Sequence, residues 1–490
     1  MAAPQNANFR EALSVRRVIR REAACPDNGS CSNQPALLCD ERETLDIVIQ
    51  KDPLASYCCG NEWLESIMKK EVTPKTSKRP KIQRVPGMLR EIESNKRCYD
   101  PMVVSIGPYH HGKPNLASLE KLKAYMVREF VKASGIPIGV FYHKVTEVAA
   151  EARKCYEEGS TDVFEDEKFA QMMFLDGCFV LQYIWCMVND KQDAMSMKSH
   201  EIAFVQRDLF LLENQLPYLV LEALMNLRFK NNDKDEMIDK FITSTRAPQT
   251  QTREKKPTTG PVRDLGNRVP VEDDQPPAHL LEVFLKKIVD KKLLEQPIYH
   301  QNDQDWYSYR SAKELKMVGI HFRPSKTHRF TDVEFESKFM SGFLYLPPIT
   351  VDDATKSFLL NLVAYETCPD APNDFAVTSY IWFLDTLIDH AEDVKELRSE
   401  GILLNFLGSD QQVAELFNEI AIDLVPNPNA YVVVKGKIES HYKNRVNIWM
   451  AEWLHTHFST PWTILAFIAA IFAILLSFVQ AYFAAFPKDK

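Results

Sequence analysis

The sequence predicts a mainly α protein: a large helical globular body with a small β element and one C-terminal transmembrane helix. Three observations carry this. Apolar residues recur at helical spacing in both halves of the chain, only 333–346 alternates as strands do, and 462–486 is uncharged throughout. With 490 residues, 45% hydrophobic and 26% charged, the chain is long enough for one large or two medium domains. Its formal net charge of −8 argues against a nucleic-acid partner, because neutralising phosphates needs a basic surface.

Residues 1–45 have no sustained apolar periodicity beyond a short basic helix over 9–21, and read as a disordered arm. Residues 46–80 form a variable basic linker carrying Lys69, Lys70, Lys75, Lys78 and Arg79; a solvated segment is the simpler reading, an acidic partner or anionic headgroups the alternative. A mainly helical domain follows over 81–457. In it Leu116, Leu119, Leu122, Tyr125, Met126 and Phe130 mark an amphipathic surface helix, with Glu120, Lys121, Lys123 and Arg128 elsewhere on the wheel. The stretch 169–185 is apolar on nearly every side, as a central core helix is. Residues 205–229 read as a helix pair split near Pro217, since proline suits a first turn but not a helix interior.

A low-order insertion, about 243–277, separates this block from a second. There 311–322 leads into 333–346, where Phe335, Phe339, Phe343 and Leu344 alternate imperfectly with polar residues and predict a short sheet. Helical spacing then covers 355–366, 377–391, 393–400, 411–422 and 431–457. No repeat of solenoid period is present.

The segment 462–486 exceeds the ~20 residues that a helix needs to cross a bilayer, and its interior polar groups are only Thr463, Ser477 and Gln480. Trp449, Trp453, Phe458 and Trp462 precede it and Tyr482 lies near its far end, where aromatic rings favour the headgroup boundary. A wholly buried core helix is the competing reading; with only 487–490 left to cover it, an anchor is preferred. The N-terminus has no apolar h-region, so insertion is expected to resemble that of a tail anchor. Lys443 and Arg445 before the helix balance Lys488 and Lys490 after it, and leave orientation nearly undetermined. A cytosolic body is preferred because the ten cysteines are scattered, with no CxxC or zinc spacing, although the sequon Asn28-Gly29-Ser30 keeps a lumenal body open. Which membrane is used stays open, the plasma membrane included.

Chemistry is sparse. The loop 105–112 carries the adjacent pair His110 and His111 among turn-forming glycines and proline. Asp176 interrupts the apolar 169–185 stretch, and Glu213-Asn214-Gln215 interrupts another. A hydrolase or transferase would combine His110 or His111 with Asp176 or Glu213 as an acid–base pair. The structural alternative has the histidines bonding carbonyls or carboxylates, and the acids satisfying the amides of a helix start near Pro217. No P-loop, dinucleotide fingerprint, nucleophile elbow or HExxH is present, so no catalytic residue, cofactor or metal is assigned.

Ile82-Gln83-Arg84-Val85-Pro86, then the run from Tyr99-Asp100-Pro101 through Ser105-Ile106-Gly107-Pro108-Tyr109-His110-His111-Gly112, resemble the opening signature of the plant family labelled domain of unknown function 247. Leu175-Asp176-Gly177-Cys178-Phe179, Asp208-Leu209-Phe210-Leu211-Leu212-Glu213-Asn214-Gln215-Leu216-Pro217, Asn361-Leu362-Val363-Ala364-Tyr365-Glu366 and Pro461-Trp462-Thr463 match its later ones in order. The resemblance covers roughly 81–486. It implies a membrane-associated protein without an established enzymatic activity. Some grass members are implicated in self-incompatibility, which would suit a polymorphic interaction surface. The resulting expectation is a membrane-tethered, non-enzymatic recognition or signalling protein. Its partners are the bilayer and a protein not yet identified, and its oligomeric state is open. The 69–81 region, the arm and the 243–277 insertion lie outside the signatures, so partner specificity is expected there.

Overall fold

Leu119, Met126, Val127 and Phe130 recur every three or four residues and form the buried face of helix α1, Ala117–Ser134. The computed structural model describes residues 81–229, 231–245, 276–289, 310–338, 341–371, 374–443 and 461–485, all in the unit Lys75–Lys490. The arm 1–45, the linker 46–80 and most of the 243–277 insertion lie outside the described residues.

After α1 comes α2, Ile138–Lys154, entered through Pro137, and then α3, Asp166–Val188. The latter buries Phe169, Ala170, Cys178 and Phe179, which point to four different sides, as a core helix should. It is long and apolar enough to cross a membrane, yet it is mostly buried because α1, α2, α5 (Tyr218–Arg228) and α6 (Asn231–Ser244) cover it. Between α3 and α5 lies α4, Ser199–Asp208. The split at Pro217 is where proline predicts it, with Pro217 as the residue before α5. The expected first helix of that pair, however, ends at Asp208, and 209–217 is irregular. Its polar side chains bond distant backbone instead of solvent.

The second half opens with α7, Leu280–Ile288, where His279 Nδ1 accepts from the Glu282 amide at 3.2 Å. A short helix α8, Ala312–Met317, precedes three strands: β1, Ile320–Pro324; β2, Glu334–Ser337; and β3, Gly342–Leu346. They form a sheet of order β1-β3-β2, parallel between β1 and β3 and antiparallel between β2 and β3. Phe322 and Phe335 both pair with Leu344, so one face is apolar. The expected sheet over 333–346 is present. The structure adds β1, which starts at the end of 311–322 and runs beyond it to Pro324, and two strands that have no sequence signal of their own. These are β4, Ile349–Val351, and later β5, Leu403–Asn405, paired in parallel.

Helices α9, Thr355–Glu366; α10, Ala376–Leu387; α11, Ala391–Ser399; α12, Asp410–Ala421; and α13, Val432–Lys443 complete the body. The single helix expected over 377–391 breaks at Ile388, which is extended. The Asp393 carboxylate accepts from the His390 amide at 3.1 Å and starts α11 there instead. Beyond α13 the expected helix to 457 lies outside the described residues. Helix α14, Pro461–Ala485, has every residue of 465–482 exposed and no charged side chain.

Candidate functional site

The loop 99–112 is mostly buried although it is neither helix nor strand, so its amides and carbonyls need partners from elsewhere. They find them in the polar residues of the other motifs. Asp208, at the end of α4, accepts from the amides of Met102 (2.9 Å), Val103 (2.8 Å) and Val104 (3.2 Å). Asn214 accepts from the Ile106 amide at 2.7 Å and donates to the Val104 carbonyl at 3.1 Å. Asp176, on α3, accepts from the Gly107 amide at 2.8 Å. Lys123, on α1, donates to the Ser105 carbonyl and to Asp176 Oδ1, both at 2.6 Å, and pairs with Glu120 at 2.7 Å. Gly107 has φ +74°, and a Cβ there would stand 2.8 Å from the Gln215 carbonyl oxygen and 2.9 Å from Tyr156 Oη. Only glycine fits that position.

Buried charges are costly unless paired, and the network pairs them. Burial disfavours the Lys123 cation, but Asp176 and Glu120 outweigh it and hold its pKa above the ordinary lysine value. Burial raises Asp176 and Asp208, while donated hydrogen bonds and the cations Lys123 and Arg207 pull the other way. Arg207 Nη1 donates to Asp208 Oδ1 at 2.8 Å. Farther along, Asn361 on α9 accepts from the Leu212 amide at 2.8 Å and donates to the Cys98 carbonyl at 3.0 Å. Glu366, at the end of the same helix, accepts from the amides of Val377 and Thr378 at the start of α10, and burial pushes its carboxyl up to about 7.

Glu213 accepts from the Val85 amide at 2.8 Å and from Arg90 at 2.7 Å. The ring of His110 lies beside it: Nε2 is 3.5 Å from Glu213 Oε2, longer than a well-formed hydrogen bond, and neither ring nitrogen has a hydrogen-bond partner among the described residues. His110 is 2% exposed, and burial first, then Lys113, lower its pKa to about 4, so it is neutral near pH 7. His111 is exposed, with its ring edge-on to Phe164 at 5.7 Å. Thus His110 and Glu213 come together out of solvent, while Asp176 is engaged by Lys123 and Gly107 rather than by a histidine. The acids serve the amides of the 82–107 segment, and not a helix start near Pro217.

Lys123 is the main residue that periodicity misplaces. It is 1% exposed, not on the polar face of α1. Its position gives the signal that was available: it follows Leu119 by four and precedes Met126 by three, within the apolar stripe. Asp208 and Asn361 also escape assignment, since a polar residue at a helix end or on an apolar helix has no local mark of its distant partner.

In comparison with known proteins, residues 82–476 match DUF247, described as a plant protein of unknown function. The UPF0481 protein At3g47200 of Arabidopsis thaliana is 29% identical over 430 residues, covering 82% of this chain and 85% of the relative. A second Arabidopsis thaliana protein, At3g02645, whose name places it provisionally in UPF0481, is 22% identical over 468 residues, covering 79% and 87%. No solved structure matches.

Proposed function

Since the chain belongs to DUF247, a plant family of unknown function, we propose that it acts at a membrane by binding protein partners rather than by catalysis. The observation that carries this reading is the engagement of the two acids that an active site would use. Asp176 holds Lys123 and the Gly107 amide, and Glu213 holds Arg90 and the Val85 amide. A general base needs to reach the proton it removes, and His110 is buried. On this reading the signature residues build a scaffold, and specificity resides on the surface and in segments outside the signatures. Helix α14 tethers the body, which raises the effective concentration of a partner in the same bilayer. The body faces the cytosol on the cysteine argument, and a part in self/non-self discrimination rests on the family resemblance alone.

The test is proximity labelling in native plant tissue, from a fusion after Met1, with a control truncated before Trp462. A small reproducible set of membrane neighbours, lost in the control, supports tethered recognition and reports the compartment. Identical diffuse labelling by both forms counts against it. The second reading, a hydrolase or transferase, then returns to His110 and Glu213, whose 3.5 Å approach is the observation that favours it.

A further inference from the structure

Away from the loop network, a cavity of about 400 Å³ lies where α4 and α6 of the first half meet α7, β4 and α9 of the second. Ligand pockets are commonly ~300–1,000 Å³ and favour such junctions. Phe210, Phe284 and Phe358 line it as an edge-to-face triad, with centroids 5.3, 5.6 and 4.6 Å apart. At the rim Phe406 is 55% exposed. Arg207 and Asp352, which border the cavity beside His328, are already engaged. Arg207 donates to Asp208 and to the carbonyls of Asp100 and Arg97, and Asp352 accepts from the Ala354 amide and Thr355 Oγ1. Gln206 and Thr350 contribute neutral polar groups.

From this lining we propose that the cavity is a binding site for a small, uncharged, ring-bearing organic molecule. The ring packs against the phenylalanine triad, where aromatic faces and edges are complementary. One polar substituent meets Gln206 or Thr350. A charged ligand is disfavoured because it would lose its hydration without gaining an unengaged counter-charge. This site stands apart from the partner-binding reading: neither His110 nor α14 contributes to it, so either can fail alone.

The full chain in detergent is photolabelled with the neutral probe 3-(trifluoromethyl)-3-phenyldiazirine, and the labelled peptides are mapped by mass spectrometry. Saturable label is expected around Phe210 and Phe358, with separate label on the apolar helix Pro461–Ala485 as an internal standard. Filling the cavity by Ala203→Trp, at an exposed lining position, or by Thr350→Trp lowers cavity label roughly tenfold or more and leaves the helix label unchanged. Wild-type label confined to Pro461–Ala485 overturns the proposal, as does cavity label that persists in both variants. Thermal melting checks that each variant is folded.

Discussion

At Asp208 one carboxylate, fully buried, collects the amides of Met102, Val103 and Val104 and the guanidinium of Arg207. Asp208→Ala removes the acceptor of three amides and the carboxylate partner of Arg207, which keeps the Asp100 and Arg97 carbonyls. Each unsatisfied buried group costs ~1–3 kcal/mol, so a loss of at least about 3 kcal/mol is expected, read as a lower urea midpoint at unchanged slope. Asp208→Asn, which keeps an acceptor oxygen, should lose less. His279 poses a question of pH. Burial, the largest effect, lowers its pKa from 6.5 to about 4, so the folded state refuses a proton that the unfolded chain accepts. Stability is therefore full above about pH 6.5 and drains as pH falls toward about 4; His110 has the same sign. His279→Asn keeps a cap acceptor for α7 but cannot titrate, and should flatten the pH slope by up to ~1.4 kcal/mol per pH unit. An unchanged slope between about pH 4.5 and about pH 7 would sink that assignment.

Helix pairing turns on close approach. A Cβ on Gly177 would stand 2.6 Å from Leu224 Cδ1 and 3.4 Å from Val220 Cγ1, both fully buried residues of α5. Gly177→Val forces α3 and α5 apart and should cost ~1–3 kcal/mol, measured by thermal or urea unfolding. At this scale periodicity was informative for many of the helices with a broad apolar face, although α6 and α7 were not marked, the latter despite burying Leu280, Leu281, Phe284, Leu285 and Ile288. It located α1, α3, α9 and α12 to within a few residues. It missed α2, whose buried residues are only Phe141, Val145 and Ala152, while Ile138 and Val140 are exposed and blur the stripe. The pair β4–β5 was invisible for another reason: each strand is three residues long, and they meet across the whole of α9, α10 and α11. No local pattern encodes such a pairing.

For the whole molecule the decisive segment is α14. Its 25 residues rise ~37 Å at ~1.5 Å each, enough for ~30 Å of hydrocarbon. Ser477 donates its hydroxyl to the Ala473 carbonyl at 2.9 Å, so this polar side chain is satisfied within the helix. Truncation before Trp462 is expected to move the protein from the carbonate-resistant membrane pellet to the supernatant. Retention of the truncated chain in the pellet would show that something other than α14 holds it there.

The mainly helical class, the core placement of 169–185, the break at Pro217, the apolar helix near the C-terminus and the family are all legible in the amino-acid order. Each is written in local periodicity, in one residue's backbone chemistry or in contiguous motif strings. The roles of the motif polar residues emerge only once the chain is folded. Asp176, Asp208, Glu213, Asn214 and Asn361 satisfy backbone groups from 69 to 263 residues away, or bridge to them. Whether a buried carboxylate meets a substrate, a histidine or an amide depends on which chain segment folds beside it. Spacing along the sequence holds no information about that neighbour.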